Sequence, residues 1–346
     1  MSAFEVDLVS DTVTRPTAPM RRAMAEAEVG DEQNREDPTV NRLQAMVAEL
    51  LGKEAALFLP SGTMCNQVAF AVHCRAGDEI LLHELAHPLL YEAGGPAALI
   101  GAVMRPLPGA RGMYSAEQVR QAVRPRVHYM PRTRALSIEQ TANIVGGACW
   151  PLAQVQDVCA AGHAAGLACH MDGARLMNAV VASGTPARDF AAPVDSVWLD
   201  LTKGLGAPVG AVLAGSRAFI DEAWVFKQRF GGAMRQAGII AAAGIYALEH
   251  HVERLAEDHA RARTLAHGLA DLPGIAVDAA RVETNIVIFD VRGTGLTGEE
   301  FGRRTERAGV RFTVLGPTLV RAVTHLDVPS DGTERALAAA RAALRG

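Results

Sequence analysis

Apolar positions along the chain follow two rhythms that take turns. From Pro38 a helical period puts Val40, Leu43, Met46, Val47, Leu50 and Leu51 on one face, and Gly52 supplies the stop. The apolar run Ala55–Leu59 reads as a strand. The turn Pro60-Ser-Gly-Thr63 then opens a helix that runs to about His73. The alternation returns as a turn at Arg75–Asp78 before a strand Glu79–Leu82. A helix near Ala153–Ala165, closed by Gly166, follows, with strands at Leu167–His170, Ser196–Leu199 and Gly210–Ala214. Strands separated by helices predict βαβ units, and so an α/β domain with a mainly parallel sheet. A long helical pattern over Gly238–Leu269 leads into a part with its own rhythm. It carries strands near Ile286–Asp290, Val310–Leu315 and Val320–Val323, and helices at Thr297–Ala308 and Thr333–Leu344. The expected organisation is an N-terminal arm and large domain over 1–245 and a smaller α+β domain over 246–346. There is no internal repeat and no low-complexity linker.

In an open parallel sheet, ligands bind outside the carboxyl ends of the strands. The turns Ser61–Thr63, His83–His87, Asp172–Arg175 and Thr202–Gly206 are therefore predicted to converge. Two of them carry chemistry. Lys203 stands at the end of the apolar run Ser196-Val-Trp-Leu199, entering the glycine-rich loop Gly204–Gly210, and Asp172 and Arg175 end the strand Leu167-Ala-Cys-His-Met-Asp172. Taken singly they read as a surface lysine and a helix-capping aspartate. Taken together, a lysine able to form a Schiff base and a buried carboxylate able to pair with a pyridinium nitrogen are what pyridoxal phosphate chemistry needs. Gly62 and Thr63, at the start of a helix, offer free N–H groups and a positive dipole end to a phosphate, or act as a plain cap. Arg321 is a charge inside an apolar strand, read either as an edge residue facing water or as a bidentate grip on a carboxylate. Ser10-Asp11-Thr12 reads as a cap or turn.

Three other motifs are weaker. His83-Glu-Leu-Ala-His87 matches the H-E-x-x-H zinc signature, but Pro88 follows directly and biases His87 away from the helical region, and no third ligand stands at a suitable spacing. Gly204-Leu-Gly-Ala-Pro-Val-Gly210 misplaces the third glycine of a dinucleotide fingerprint, and Pro208 interrupts the helix that motif requires. Neither a G-x-S-x-G elbow nor a Walker lysine is present.

Composition narrows the setting without adding chemistry. The chain has 346 residues, 49% hydrophobic and 21% charged, with a net charge of −4. This is the profile of an ordinary globular protein large enough for two domains. No basic tract points to nucleic acid, no polybasic stretch to a membrane surface, and no apolar run reaches the ~18 residues of a bilayer span. The start of the chain lacks signal-peptide character. Five cysteines without a C-x-x-C pair suit core filling in a reducing cytoplasm, the expected location.

Several longer stretches occur in a fixed order: Asp7-Leu-Val-Ser-Asp-Thr-Val-Thr-Arg-Pro16, Glu36-Asp-Pro-Thr-Val-Asn41, Pro60-Ser-Gly-Thr-Met64, and His87 ahead of Tyr91-Glu-Ala-Gly-Gly95. His170-Met-Asp-Gly-Ala-Arg175, Thr202-Lys-Gly-Leu-Gly-Ala-Pro-Val-Gly210 and Gly231-Gly-Ala-Met-Arg-Gln-Ala-Gly238 follow. Together they resemble the L-threonine aldolases, pyridoxal-phosphate-dependent enzymes of the aspartate-aminotransferase-like fold (fold type I). The resemblance implies a carbon–carbon lyase that cleaves L-threonine, L-allo-threonine and related L-β-hydroxy-α-amino acids to glycine and an aldehyde. It implies Lys203 as the Schiff-base lysine, Asp172 as partner of the ring nitrogen, and Gly62 and Thr63 as the phosphate turn. His87 is implied as the ring-stacking histidine and possible base, and Ser10, Arg175 and Arg321 as the grip on the substrate carboxylate. Arg235 is implied to reach a phosphate across a subunit interface, within a homotetramer built from dimers. No metal is expected.

Two departures from the family stand out. Asn34 and Arg35 replace a Tyr-Gly pair, and Ala142, in Glu139-Gln-Thr-Ala-Asn143, replaces a histidine that lies near the substrate's β-substituent. Ala142 is accordingly read as making room for a bulkier group such as phenyl. The alternatives are another fold type I lyase working by β-elimination or on a different β-substituted amino acid, a zinc hydrolase built on His83 and His87, and a non-catalytic binding protein.

Overall fold

The computed structural model describes residues 4–345. Its twelve strands are β1 (Val6–Asp7), β2 (Ala55–Leu59), β3 (Glu79–His83), β4 (Val103–Leu107), β5 (Thr133–Glu139), β6 (Ala168–Gly173), β7 (Ser196–Asp200), β8 (Ala211–Gly215), β9 (Ile286–Asp290), β10 (Val310–Arg311), β11 (Thr313–Val314) and β12 (Leu319–Val323). A seven-stranded sheet in the order β2-β8-β7-β6-β5-β3-β4 forms the large unit. Its strands from β4 to β7 pair in parallel, and β8 runs against both neighbours. β3, β6, β7 and β8 are buried along nearly their whole length because helices cover both faces, which explains why they read as near-continuous apolar runs.

The helix Pro38–Leu51 forms as its pattern predicts. Asp37 caps it by accepting from Val40 N–H, Pro38 sits in the first turn, and Gly52 ends it in the left-handed conformation. Val40, Leu43, Val47 and Leu51 enter the main core, while Met46 and Leu50 pack only at its edge. The predicted helix Gly238–Leu269 is two helices, Gly238–His250 and Leu255–Ala270. The first packs into the core of the large sheet, the second turns away to fill a separate core, and no glycine or proline marks the break. Periodicity cannot register a change of partner between two apolar faces.

That second core belongs to the C-terminal sheet β11-β12-β9 and its helices. It also takes Val6 and Leu8, because β1 pairs in parallel with β10. The N-terminal arm, grouped by sequence with the large domain, thus packs on the small one. The predicted strand Val310–Leu315 splits at Phe312, with β10 serving β1 and β11 serving β12. Among the described residues no helix is long and apolar enough to cross a membrane.

One ion pair is sealed inside the large unit: Lys227 Nζ lies 2.7 Å from Glu32 Oε1, with both side chains fully buried. Glu32 Oε1 also accepts the Met234 N–H at 2.7 Å, so the pair ties a surface turn to the loop before the helix Gly238–His250. Replacing one partner leaves the other as an unpaired buried charge. Lys227→Met is therefore expected to cost about 3–5 kcal/mol in urea unfolding. Adding Glu32→Leu should restore a large part of it.

Candidate active site

The carboxyl ends of the parallel strands open into a cavity of about 690 Å³. Ser10, Gly62, Thr63, His87, Asp172, Arg175, Lys203 and Arg321 all line it, so the four predicted turns do converge there. Arg235 does not. It is exposed and pairs with Asp31 at 2.8 Å, so no atom of this one chain brings it to the cavity.

Lys203 follows β7 and adopts φ +51°, a left-handed value uncommon for a side-chain-bearing residue. Its carbonyl accepts from Thr14 Oγ1 at 2.7 Å, and its ammonium is paired with the Asp200 carboxylate. The chain contains only three lysines, Lys53, Lys203 and Lys227. Lys53 donates to the Val194 carbonyl and Lys227 is locked on Glu32, so Lys203 alone presents an amine to the cavity.

Asp172 is the penultimate residue of β6 and only 1% exposed. Its Oδ2 accepts from Asn66 Nδ2 at 2.8 Å and its Oδ1 from the Ala174 N–H at 3.0 Å. Burial pushes its carboxyl up, against the opposing pull of the His87 charge and the Asn66 hydrogen bond.

His87 heads the one-turn helix His87–Leu90 with Pro88 in the first turn, where proline's missing N–H is no loss. The proline therefore starts a helix here and does not hold His87 extended. His87 Nδ1 sits 2.9 Å from Glu92 Oε1. Burial works against its charged form, but the Glu92 hydrogen bond and the charges of Asp172, Glu92 and Glu139 raise its pKa overall. His83, at the end of β3, points elsewhere: Nε2 lies 3.0 Å from the Gly109 carbonyl and Nδ1 accepts the Leu85 N–H. The zinc signature is thus split between a strand and a new helix, with one of its rings already committed to backbone. His87, Glu92 and Asp172 do bring ligand atoms within 4.8 Å of one another, but Asn66 Nδ2 points between the two carboxylates. A donor hydrogen stands where a cation would need an acceptor.

The helix Gly62–His73 is capped by Ser61, which accepts the Met64 N–H and leaves the N–H groups of Gly62 and Thr63, both residues lining the cavity, without a partner inside the helix. Gly62 is required by packing as well: a Cβ there would lie 2.2 Å from the Trp198 ring.

The two arginines behave differently. Arg175 grips Asp11 through Nε (2.7 Å) and Nη2 (2.6 Å), both side chains buried, and only Nη1 turns toward Asn143 Oδ1, at 3.4 Å. Among the described residues Arg321 has no carboxylate partner. Its Nη1 donates to Asn143 Oδ1 at 3.1 Å, its Nη2 to the Val9 carbonyl at 3.3 Å, and its buried Nε to nothing. Burial and the Arg175 charge together lower its pKa. A half-buried guanidinium without a counter-ion among the described residues, at the wall of a cavity, is a seat for an anion.

Asp11 is more than the cap the sequence suggested. Burial opposes its ionisation, yet the Arg175 charge and hydrogen bonds hold its carboxyl well below the usual range. A carboxyl lowered on folding adds stability above its unfolded pKa of ~3.9 and loses it as pH falls toward the folded value. Asp11→Asn is expected to cost about 3–5 kcal/mol at pH 7 by leaving Arg175 buried and unpaired. The gap from wild type should narrow progressively below about pH 4 in urea titrations.

Asn66, Glu92, Glu139, Trp198 and Asp200 were not singled out from sequence. Glu139 ends β5, directly beside Asp172 in register. Burial, then the Asp172 charge, push its carboxyl up to about 7, although it accepts N–H bonds from His87 and Asn143. The departures from the family pattern lie off the cavity. Arg35 makes an exposed pair with Asp221. Ala142 is buried with its methyl against Gly112, where a Cβ would come within 2.5 Å of it. Ala142 is not among the residues that line the cavity, whereas Ile144 and Tyr91 are.

A parallel α/β sheet with a lone lysine, a buried carboxylate and a helix N-terminus gathered at its strand ends defines the aspartate-aminotransferase-like class, and residues 7–293 match the beta-eliminating lyase family model. The chain is 40% identical over 325 residues to low-specificity L-threonine aldolase 1 of Arabidopsis thaliana, covering 92% of this chain and 91% of that one. It is 41% identical over 326 residues to the low specificity L-threonine aldolase of Escherichia coli K12, covering 93% and 94%. The fold also matches the crystal structure of a putative L-allo-threonine aldolase from Listeria monocytogenes, with a TM-score of 0.82 at 20% identity, over 98% of this chain and 96% of that one. The chain belongs to the L-threonine aldolase family.

Proposed function

We propose that the protein binds pyridoxal phosphate and cleaves L-threonine, L-allo-threonine and related L-β-hydroxy-α-amino acids to glycine and an aldehyde. One observation carries this reading: the only lysine at the cavity shares it with a buried carboxylate and an arginine lacking a counter-ion. The residues present fit the cofactor. The Gly62 and Thr63 N–H groups and the helix dipole would hold the phosphate, Asp172 the ring nitrogen, His87 the ring face, and Lys203 the carbonyl carbon. Once bound, the cofactor supplies an electron sink for the pair released at Cα.

The chain's own groups supply the rest. Arg321 holds the substrate carboxylate, which displaces its contact with Asn143 Oδ1, while Arg175, fixed by Asp11, stiffens that wall. Holding the carboxylate orients Cα–Cβ for cleavage. His87 is engaged by Glu92 through Nδ1, which leaves Nε2 to take the β-hydroxyl proton. Glu139, with its raised pKa, keeps the far side of His87 anchored through the backbone. Ile144 and Tyr91, which line the cavity, would meet an aromatic β-substituent such as that of phenylserine. Arg235, exposed here, would complete a neighbouring subunit's phosphate seat in a homotetramer of dimers.

The test is product analysis on L-threonine and L-allo-threonine. Equimolar glycine and acetaldehyde are expected. Ammonia and 2-oxobutanoate would instead favour the β-elimination alternative.

A further inference from the structure

Behind the cavity a chain of buried polar groups runs from the helix Gly62–His73 across β6 and β7, and its direction is fixed by chemistry. Trp198 Nε1 can only donate, and it donates to Asn66 Oδ1 at 2.7 Å. Asn66 Nδ2 is therefore the group facing Glu92 Oε1 at 2.7 Å and Asp172 Oδ2 at 2.8 Å. A flipped amide would set N–H against N–H and oxygen against two carboxylates. Because Oδ1 accepts, His170 Nε2, 3.0 Å away, carries the proton of that ring. Burial keeps the ring neutral, so its Nδ1 accepts from Ser196 Oγ at 2.8 Å. Ser196 accepts in turn from His73 Nε2 at 2.7 Å. Every hydrogen of the chain points toward the two carboxylates. An amide in its middle does not relay a proton, so the chain fixes orientation and is not a wire.

Glu92 Oε1 also meets His87 Nδ1, and Glu92 Oε2 accepts from Gln67 Nε2 at 2.6 Å. We propose that Asn66 is a positioning residue: its two amide hydrogens hold Asp172 directly and His87 through Glu92, so that one side chain aligns both groups assigned to the cofactor ring. This rests on the cofactor assignment above and adds to it the residue that sets the assigned pair.

Asn66→Asp is the informative change. It keeps an acceptor for Trp198 and His170 but turns a second oxygen on Glu92 and Asp172. The apoprotein is titrated with pyridoxal phosphate, following tryptophan fluorescence in the absence of substrate. At pH 8 the affinity is expected to fall about 10–100-fold relative to wild type, the size of a one-to-two-unit change in a carboxylate's pKa. The ratio to wild type should close as pH falls and the introduced carboxyl regains a donor hydrogen. The ionisable groups facing this position are Asp172 and His170 on β6 and Glu92 beyond His87, with His87 and Lys203 next to them. All occur in both proteins, but Asp172, Glu92 and His170 touch the new carboxyl and titrate with it, so the closing of the ratio reports the titration of this coupled cluster. A merely structural role would lower the melting temperature without this pH signature.

His170 supplies a second arm should Asn66→Asp fail to fold. His170→Gln keeps a donor toward Asn66 and should stay within ~3-fold of wild type. His170→Leu should lose about 10-fold, the upper range for one hydrogen bond. Equal affinities for those two variants, or Asn66→Asp binding like wild type at every pH, would overturn the proposal. Wild-type protein that takes up no pyridoxal phosphate would overturn the cofactor assignment itself.

Discussion

Lys203→Ala is expected to lower aldehyde release by a factor on the order of 10⁴ or more and to remove the visible absorbance of the cofactor-loaded protein. The reason is specific to this chain. Lys53 is spent on the Val194 carbonyl and Lys227 is sealed against Glu32, so no second lysine can reach the cavity in its place. The substitution leaves the sheet core untouched, and the Asp200 carboxylate it exposes still accepts from the N–H and hydroxyl of Thr202. The melting temperature should therefore move little, which separates lost chemistry from lost folding. Retention of more than a few per cent of the activity would mean that another group forms the bond to the cofactor.

Arg321→Gln is the second large effect, about 100-fold in kcat/KM, carried mostly by KM. A charge-assisted hydrogen bond contributes ~1.5–3 kcal/mol, and a carboxylate held at this position would make at least one with the guanidinium. Arg175→Gln should look different even though both residues face the same cavity. Arg175 is bound bidentately to Asp11, so its loss leaves a buried carboxylate behind and acts first on stability. Steady-state kinetics beside urea unfolding for the two variants distinguish a substrate contact from its support. Equal KM effects without any difference in stability would contradict this division.

Much of this site was legible in the chain because its parts obey local rules. Lys203 and Asp172 end strands whose apolar runs are plain, and Gly62 and Thr63 sit where a capped helix must begin. What the sequence left hidden was set by tertiary partners. Thr133-Arg-Ala-Leu-Ser-Ile-Glu139 mixes polar and apolar positions although β5 is buried nearly throughout, because Thr133 and Arg134 are satisfied by Glu79 and the His73 carbonyl; no period marks the strand, or Glu139 at its end. Asp11 has the local context of a cap, and its partner Arg175 lies 164 residues away in sequence. Asn66 lies in a helix buried on nearly every side, where periodicity gives no hint that one position faces two carboxylates. Ala142 stands where the family carries a histidine, but the backbone turns its methyl toward Gly112, an orientation that sequence alone does not show.

Lys203, at the meeting point of these strand ends, is predicted to hold the cofactor in this chain. The most direct measurement is borohydride reduction of the pyridoxal-phosphate-loaded protein, followed by proteolysis and mass spectrometry of the lysine-bearing peptides. The expected result is a single reduced pyridoxyl phosphate adduct, on the peptide that carries Lys203. An adduct on Lys53 or Lys227, or none on any lysine of protein that has taken up the cofactor, would contradict it.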